Sequence, residues 1–228
     1  MKPPVTILYE DNHLLVVEKP VNLPSQADSS GDADLLSLLK TDLKVRYRKP
    51  GNVYLGLVHR LDRPVGGVMV FAKTSKAAGR LSEQIKAKGE FIKIYRAVIY
   101  GIMDRPSGKL THFLLKSPEQ NKVAVVSPKE PGAKEATLDF KVLSCKDGFS
   151  LVQINLLTGR PHQIRAQFAA VGCPLFGDQK YGTGKSKPGE QLALWATELQ
   201  FLHPTQKERL TFYSNPPPVY PWSLFEQT

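Results

Sequence analysis

The chain has 228 residues, long enough to bury one sizeable core, and its 41% hydrophobic and 23% charged content is that of an ordinary globular protein. Its 31 Lys and Arg against 21 Asp and Glu leave a formal charge of +10, which favours a polyanionic partner such as RNA, DNA or an anionic membrane. No apolar stretch reaches the length of a membrane span, Met1-Lys2-Pro3-Pro4 leads into an expected strand and not a signal sequence, and two isolated cysteines, Cys145 and Cys173, suit a reducing cytoplasm.

In chain order, residues 7–20 read as a pair of strands joined by an Asp11-Asn12 turn and closed by Lys19-Pro20. After a Ser29-Ser30-Gly31-Asp32 loop, Leu35, Leu38, Leu39 and Leu43 recur at helical spacing, with Asp32 or Asp34 available as N-cap. Residues 53–58 predict a strand and residues 68–74 another, separated by His59-Arg60-Leu61-Asp62-Arg63 and the breaker Pro64-Val65-Gly66-Gly67. Thr74-Ser75 can cap a helix carrying Ala77, Ala78, Leu81 and Ile85 on one face, with Gly89 as its stop. A strand holding Tyr95 follows and ends at Gly101. Residues 109–157 read as successive strands, in which Ala136, Leu138, Phe140 and Val142 alternate with polar neighbours as a half-buried antiparallel strand requires.

The strand at 149–157 delivers the chain into Thr158-Gly159, and Pro161 suits the first turn of a helix that carries Gln163 and Arg165 and ends at Gly172. Asn215-Pro216-Pro217-Pro218 predicts a stiff surface strap. Many strands with few helices and no regular βαβ alternation indicate an α+β fold, a mixed and mainly antiparallel sheet with flanking helices. The expectation is one domain over 1–228. The five histidines show no metal-ligand spacing with one another or with the cysteines, so no metal is expected.

The acid Asp62 stands out because it lies between two arginines on a loop at a sheet rim, where scaffolds carry chemistry. Arg60 and Arg63 are positioned to keep that carboxylate ionised.

The whole segment, His-Arg-Leu-Asp-Arg-Pro followed by Gly-Gly and a strand ending Phe71-Ala72-Lys73-Thr74, resembles the signature of the RluA family of RNA pseudouridine synthases. Further blocks resemble that family in the same order. They are 7–20, Lys93-Ile94-Tyr95-Arg96-Ala97, Thr158-Gly159-Arg160-Pro161-His162-Gln163-Ile164-Arg165 with Gly177-Asp178 and Tyr181-Gly182 after it, and Leu192-Ala193-Leu194-Trp195-Ala196. The resemblance implies the bent, mainly antiparallel pseudouridine synthase fold, in a short form with no S4 RNA-binding domain ahead of the first block. It also implies an isomerase that acts on ribosomal or transfer RNA as a monomer, with no membrane partner and no cofactor.

The resemblance assigns the essential aspartate to Asp62 and its salt-bridge partner to Arg165. Tyr95 would stack on the flipped uracil and take a proton from C5 or C2′, and Arg60 would fill the space that the flipped nucleotide leaves. Arg63 contacts phosphate or caps the loop. His59, Arg160, His162 and Gln163 shape the pocket, touch RNA, or serve as structural hydrogen-bonding residues. Lys19 and Lys73 contact backbone phosphates or are solvated lysines. The chain departs from the family where Val65-Gly66-Gly67 replaces Thr-Ser-Gly, Trp195 replaces histidine and Asn22 replaces glycine. Two other readings remain open at this point. One is a noncatalytic RNA-binding factor on a synthase scaffold; the other is a glycoside hydrolase, which needs a second carboxylate that no motif nominates.

Overall fold

The computed structural model describes residues 5–87, 89–117, 121–182 and 184–225. It divides into two compact units, one reaching to Ile92 and including Ala196–Asn215, the other formed by Lys93–Trp195 with the chain from Pro216 onward.

In the first unit, β1 (Thr6–Glu10) and β2 (Leu14–Lys19) form the expected antiparallel hairpin. Its turn is made by one side chain. Asp11 Oδ1 accepts the backbone N–H of His13 at 2.7 Å and of Leu14 at 2.6 Å, an Asx-type turn that needs no glycine. Next, α1 (Leu35–Arg46) is capped by Asp34, whose Oδ1 accepts from Ser37 N at 3.0 Å, so Asp34 and not Asp32 is the cap. Leu35, Leu39 and Leu43 form its buried stripe.

The strand expected at 53–58 contracts to β3 (Gly56–Leu57), because those two residues pair only with Ala72 and Phe71 at one end of β4 (Gly66–Ala72). By contrast β2 pairs β4 from Lys19↔Gly67 to Leu14↔Ala72, and every residue of β4 is buried. After it comes α2 (Ser75–Lys86), capped by Thr74, whose Oγ1 accepts from Ala77 N at 3.1 Å. Buried Ala77 and Leu81 dock it on a cluster with Val16, Val70, Phe91 and Phe201, in which the last two rings stack 5.7 Å apart.

The second unit holds β5 (Ile92–Tyr100), β6 (Ser107–Ser117), β7 (Lys122–Val126), β8 (Lys134–Lys146) and β9 (Phe149–Leu156) in spatial order β5-β9-β8-β6-β7, each recorded pairing antiparallel. Ala136, Leu138 and Phe140 of β8 are buried as their alternation predicts. Helix α3 (Gln163–Ala170) starts two residues later than Pro161 suggested. His162 occupies the N-cap with φ +48°, a left-handed conformation that ends the preceding turn and that histidine tolerates better than most residues.

Strand β10 (Leu194–Leu202) returns the chain to the first unit, where β11 (Arg209–Tyr213) pairs it antiparallel; β11 was not anticipated from the sequence. The fold is therefore α+β with a mainly antiparallel sheet, as expected. Gly67, in the Val65-Gly66-Gly67 departure, has φ +117°, and a Cβ there would lie 2.2 Å from Ala196 O. Gly67→Ala is expected to lower unfolding free energy by about 2–3 kcal/mol through backbone strain and overlap. A urea midpoint equal to wild type would refute that reading.

Candidate active site

In the first unit, Asp62 is half-buried on the loop between β3 and β4, and the loop is fastened from inside. Ser25, buried, donates its hydroxyl to Leu61 O at 2.7 Å and accepts from Leu61 N at 3.2 Å. Lys19, with 0% exposure, donates from Nζ to Arg63 O at 3.1 Å, Leu23 O at 2.7 Å and Pro20 O at 2.9 Å. A turn hydrogen bond from Val65 N to Asp62 O at 3.0 Å closes the loop. Asp62 is thus flanked on both sides by residues whose carbonyls are tied to buried side chains.

These contacts change the sequence assignments. Lys19 has no access to a phosphate; it is the loop's internal anchor. Burial lowers its pKa to about 7, opposed by the charge of Asp62 and reinforced by that of Arg63. Lys19 is therefore a buried cation that feels the Asp62 carboxylate. Arg63 turns outward, with Nη2 2.5 Å from Asp32 Oδ2, in an exposed pair that holds the 28–32 loop. Arg60 is exposed. His59 accepts the backbone N–H of Val70 on Nε2 at 3.1 Å and sets its ring edge against Phe91, a structural role. Lys73 is also engaged within the protein, at 2.7 Å from Glu10 Oε1 and 2.5 Å from Asp11 O.

The state of Lys19 gives a pH prediction. Between about pH 7 and its ordinary value of 10.5, the unfolded chain holds a proton on Lys19 that the folded chain has released. Its contribution to unfolding free energy therefore rises with pH across that window and is flat below it. Urea midpoints of wild type and Lys19→Met at pH 7 and pH 9 test this. The wild type should gain stability relative to the variant at the higher pH, and parallel behaviour would refute it.

In the second unit, Tyr95 is buried on β5 with 6% exposure. Arg165, 5% exposed, projects from the first turn of α3 and is held by a residue that the sequence reading quoted but gave no role. Asp178 accepts Arg165 Nε on Oδ2 and Nη2 on Oδ1, both at 2.7 Å, and its Oδ1 also accepts the N–H groups of Lys180 at 2.9 Å and Tyr181 at 3.0 Å. Burial by itself would raise the Asp178 pKa, but the hydrogen bonds and charge of Arg165 and the two backbone donors draw it below the ordinary value.

Tyr181 completes the clamp. Its ring lies under the Arg165 guanidinium, 5.1 Å from centroid to carbon, while its hydroxyl accepts from Val123 N at 2.8 Å and meets His162 Nδ1 at 2.8 Å. Gln163 is a structural residue. Its Oε1 accepts from Thr158 Oγ1 at 2.7 Å and Arg160 N at 3.0 Å, and its Nε2 donates to Thr137 O at 3.1 Å, so one side chain ties the turn before α3 to β8. Arg160 donates from Nε to Glu135 O at 2.9 Å on the surface. Among the described residues no group of three or more His, Cys, Asp or Glu side chains could hold a metal ion, and no helix is long and apolar enough to cross a membrane.

The first unit thus carries a half-buried acid on a braced loop, and the second carries a buried tyrosine and a carboxylate-clamped arginine. The family model for RNA pseudouridylate synthase matches residues 13–170. An uncharacterized RNA pseudouridine synthase of Aquifex aeolicus is 34% identical over 96% of this chain and 73% of its own. Ribosomal large subunit pseudouridine synthase C of Buchnera aphidicola is 31% identical over 90% of this chain, which spans 64% of that protein. The solved structure of human RNA Pseudouridylate Synthase Domain Containing 4 superposes with a TM-score of 0.76 at 25% identity, covering 93% of this chain and 88% of that one. The chain belongs to the RNA pseudouridylate synthase family, in agreement with the isomerase class expected from its motifs. Asp178 lies beyond the segment that the family model matches.

Proposed function

We propose that this protein isomerises specific uridines in structured ribosomal or transfer RNA to pseudouridine, with residues 1–228 acting as one catalytic domain and Asp62 as its essential acid. The observation that carries the reading is the placement of Asp62, half-buried on a loop braced by Ser25 and Lys19. A reacting group held without further reorganisation is what such chemistry requires.

In the reaction the N1–C1′ bond breaks, the uracil turns, and a C5–C1′ bond forms. The proton on C5 leaves and N1 of the product carries one, so the net change is an isomerisation with no redox step and no cofactor. Asp62 adds to the nucleotide or removes the C2′ proton, and both routes need its ionised form. Arg165 is the cation that the family motif assigns to the reaction, Tyr95 stacks on the base and takes the C5 or C2′ proton, and Arg60 fills the gap left in the RNA stack. The +10 charge supports a polyanionic substrate.

Tritium release from 5-tritiated uridine in unmodified ribosomal RNA and, separately, unmodified transfer RNA tests this. Release from one of them identifies the substrate class. RNA binding without release from either would replace the proposal with a noncatalytic RNA-binding factor.

A further inference from the structure

Lys19, Lys73 and Lys93 all sit in positions of low exposure, and they differ in what meets their amines. Lys19 has three backbone carbonyls, and Lys73 has a carboxylate and a carbonyl. Lys93 is half-buried at the start of β5, and among the described residues no acceptor hydrogen-bonds its Nζ and no carboxylate pairs with it. Burial pushes its pKa down with no opposing charge. An ammonium carries three donors and no acceptor, and a half-buried one that no protein acceptor meets keeps those donors available to a ligand. A site of this kind is completed by an acceptor that arrives from outside.

Its location indicates which acceptor. Lys93 and Tyr95 are two residues apart on one strand, so their side chains leave the same face about 6.5–7 Å apart. That spacing lets one meet the base and the other the backbone of a single nucleotide. The Lys93 amine also reaches the turn that precedes α3, where a Cβ on Gly159 would lie 3.5 Å from Nζ. A neutral uracil carbonyl would satisfy one N–H, but only an anion also offsets the charge.

We propose that Lys93 is a substrate-binding residue whose ammonium takes a phosphodiester oxygen of the nucleotide stacked on Tyr95. This inference rests on the synthase reading above. The test compares wild type, Lys93→Met and Lys93→Arg, with affinity for unmodified ribosomal and transfer RNA measured across a series of salt concentrations and KM and kcat measured by tritium release.

Lys93→Met should weaken binding about tenfold or more. It should also make the slope of log affinity against log salt shallower by about 0.7–0.9, the value of one phosphate contact. KM should rise by a similar factor with kcat changed less, and Lys93→Arg should keep the wild-type slope. A folded Lys93→Met protein with unchanged slope overturns the proposal, whether turnover survives or is lost. If Lys93→Met does not fold by circular dichroism, Lys93→Gln is read by the same criteria. Absence of tritium release by wild type, with the slope still shifted by one contact in the variant, would strike the synthase reading and leave the phosphate contact standing.

Discussion

Asp62→Asn should abolish tritium release, reducing turnover by about four orders of magnitude, while RNA affinity stays within about threefold of wild type. The amide has nearly the shape of the carboxylate, but it neither adds to a sugar carbon nor removes a C2′ proton at neutral pH. The loop should survive the change because its braces do not involve the Asp62 side chain: Ser25 holds Leu61 and Lys19 holds the Arg63 carbonyl. One consequence is electrostatic. The Asp62 charge raises the Lys19 pKa against burial, so in Asp62→Asn that value falls below about 7 and the pH window of rising stability extends lower. Single-turnover release at saturating enzyme, with binding measured separately, checks the main effect. A variant that binds RNA and retains more than a tenth of wild-type turnover would remove Asp62 from the chemistry.

Asp178→Asn should lower unfolding free energy by about 3–5 kcal/mol, the cost of breaking a buried ion pair by neutralising one partner. Arg165 is 5% exposed, and Asp178 supplies two 2.7 Å hydrogen bonds as well as the charge. An asparagine accepts through one oxygen and turns its NH2 toward the guanidinium, so one of the paired bonds becomes a clash of donors. The sign of the pH dependence follows from the lowered Asp178 pKa. Its stabilisation is complete above the ordinary carboxylate value of 3.8 and is lost as pH falls through the lower folded value. Urea denaturation at pH 7 measures the loss, and Arg165→Met with the double variant measures the coupling. A loss under about 1 kcal/mol, or additive single effects, would show that the pair does not hold α3's arginine in place. Tyr181 beneath the guanidinium then remains as the second support.

Much of this protein was legible in its sequence wherever the physical cause acts over a few residues. Asp11 makes its own turn two and three residues on, and Asp34 and Thr74 cap helices through the N–H three residues on. The alternation at Ala136, Leu138 and Phe140 reports the buried face of β8 directly, because a strand's side chains change face at every residue. The ordered motifs identified the family and nominated Asp62, Tyr95 and Arg165.

What the sequence left open depends on where distant segments meet. Residues 53–58 have strand composition, yet only Gly56 and Leu57 find β4. Pro161 suits a first helical turn, yet the Gln163 side chain binds the turn before it, His162 takes the left-handed cap, and α3 begins at Gln163. Arg63 adjoins Asp62 in the chain but pairs with Asp32 in space. Lys19 reads as a surface lysine until folding brings Arg63, 44 residues away, onto its amine. The sequence by itself determined the Asp11 turn, the Thr74 cap, the buried face of β8 and the chemical class, since each is set by local backbone valence or by residue type. Only the tertiary structure decided which charges are buried and what meets them, because desolvation and pairing are properties of neighbours in space.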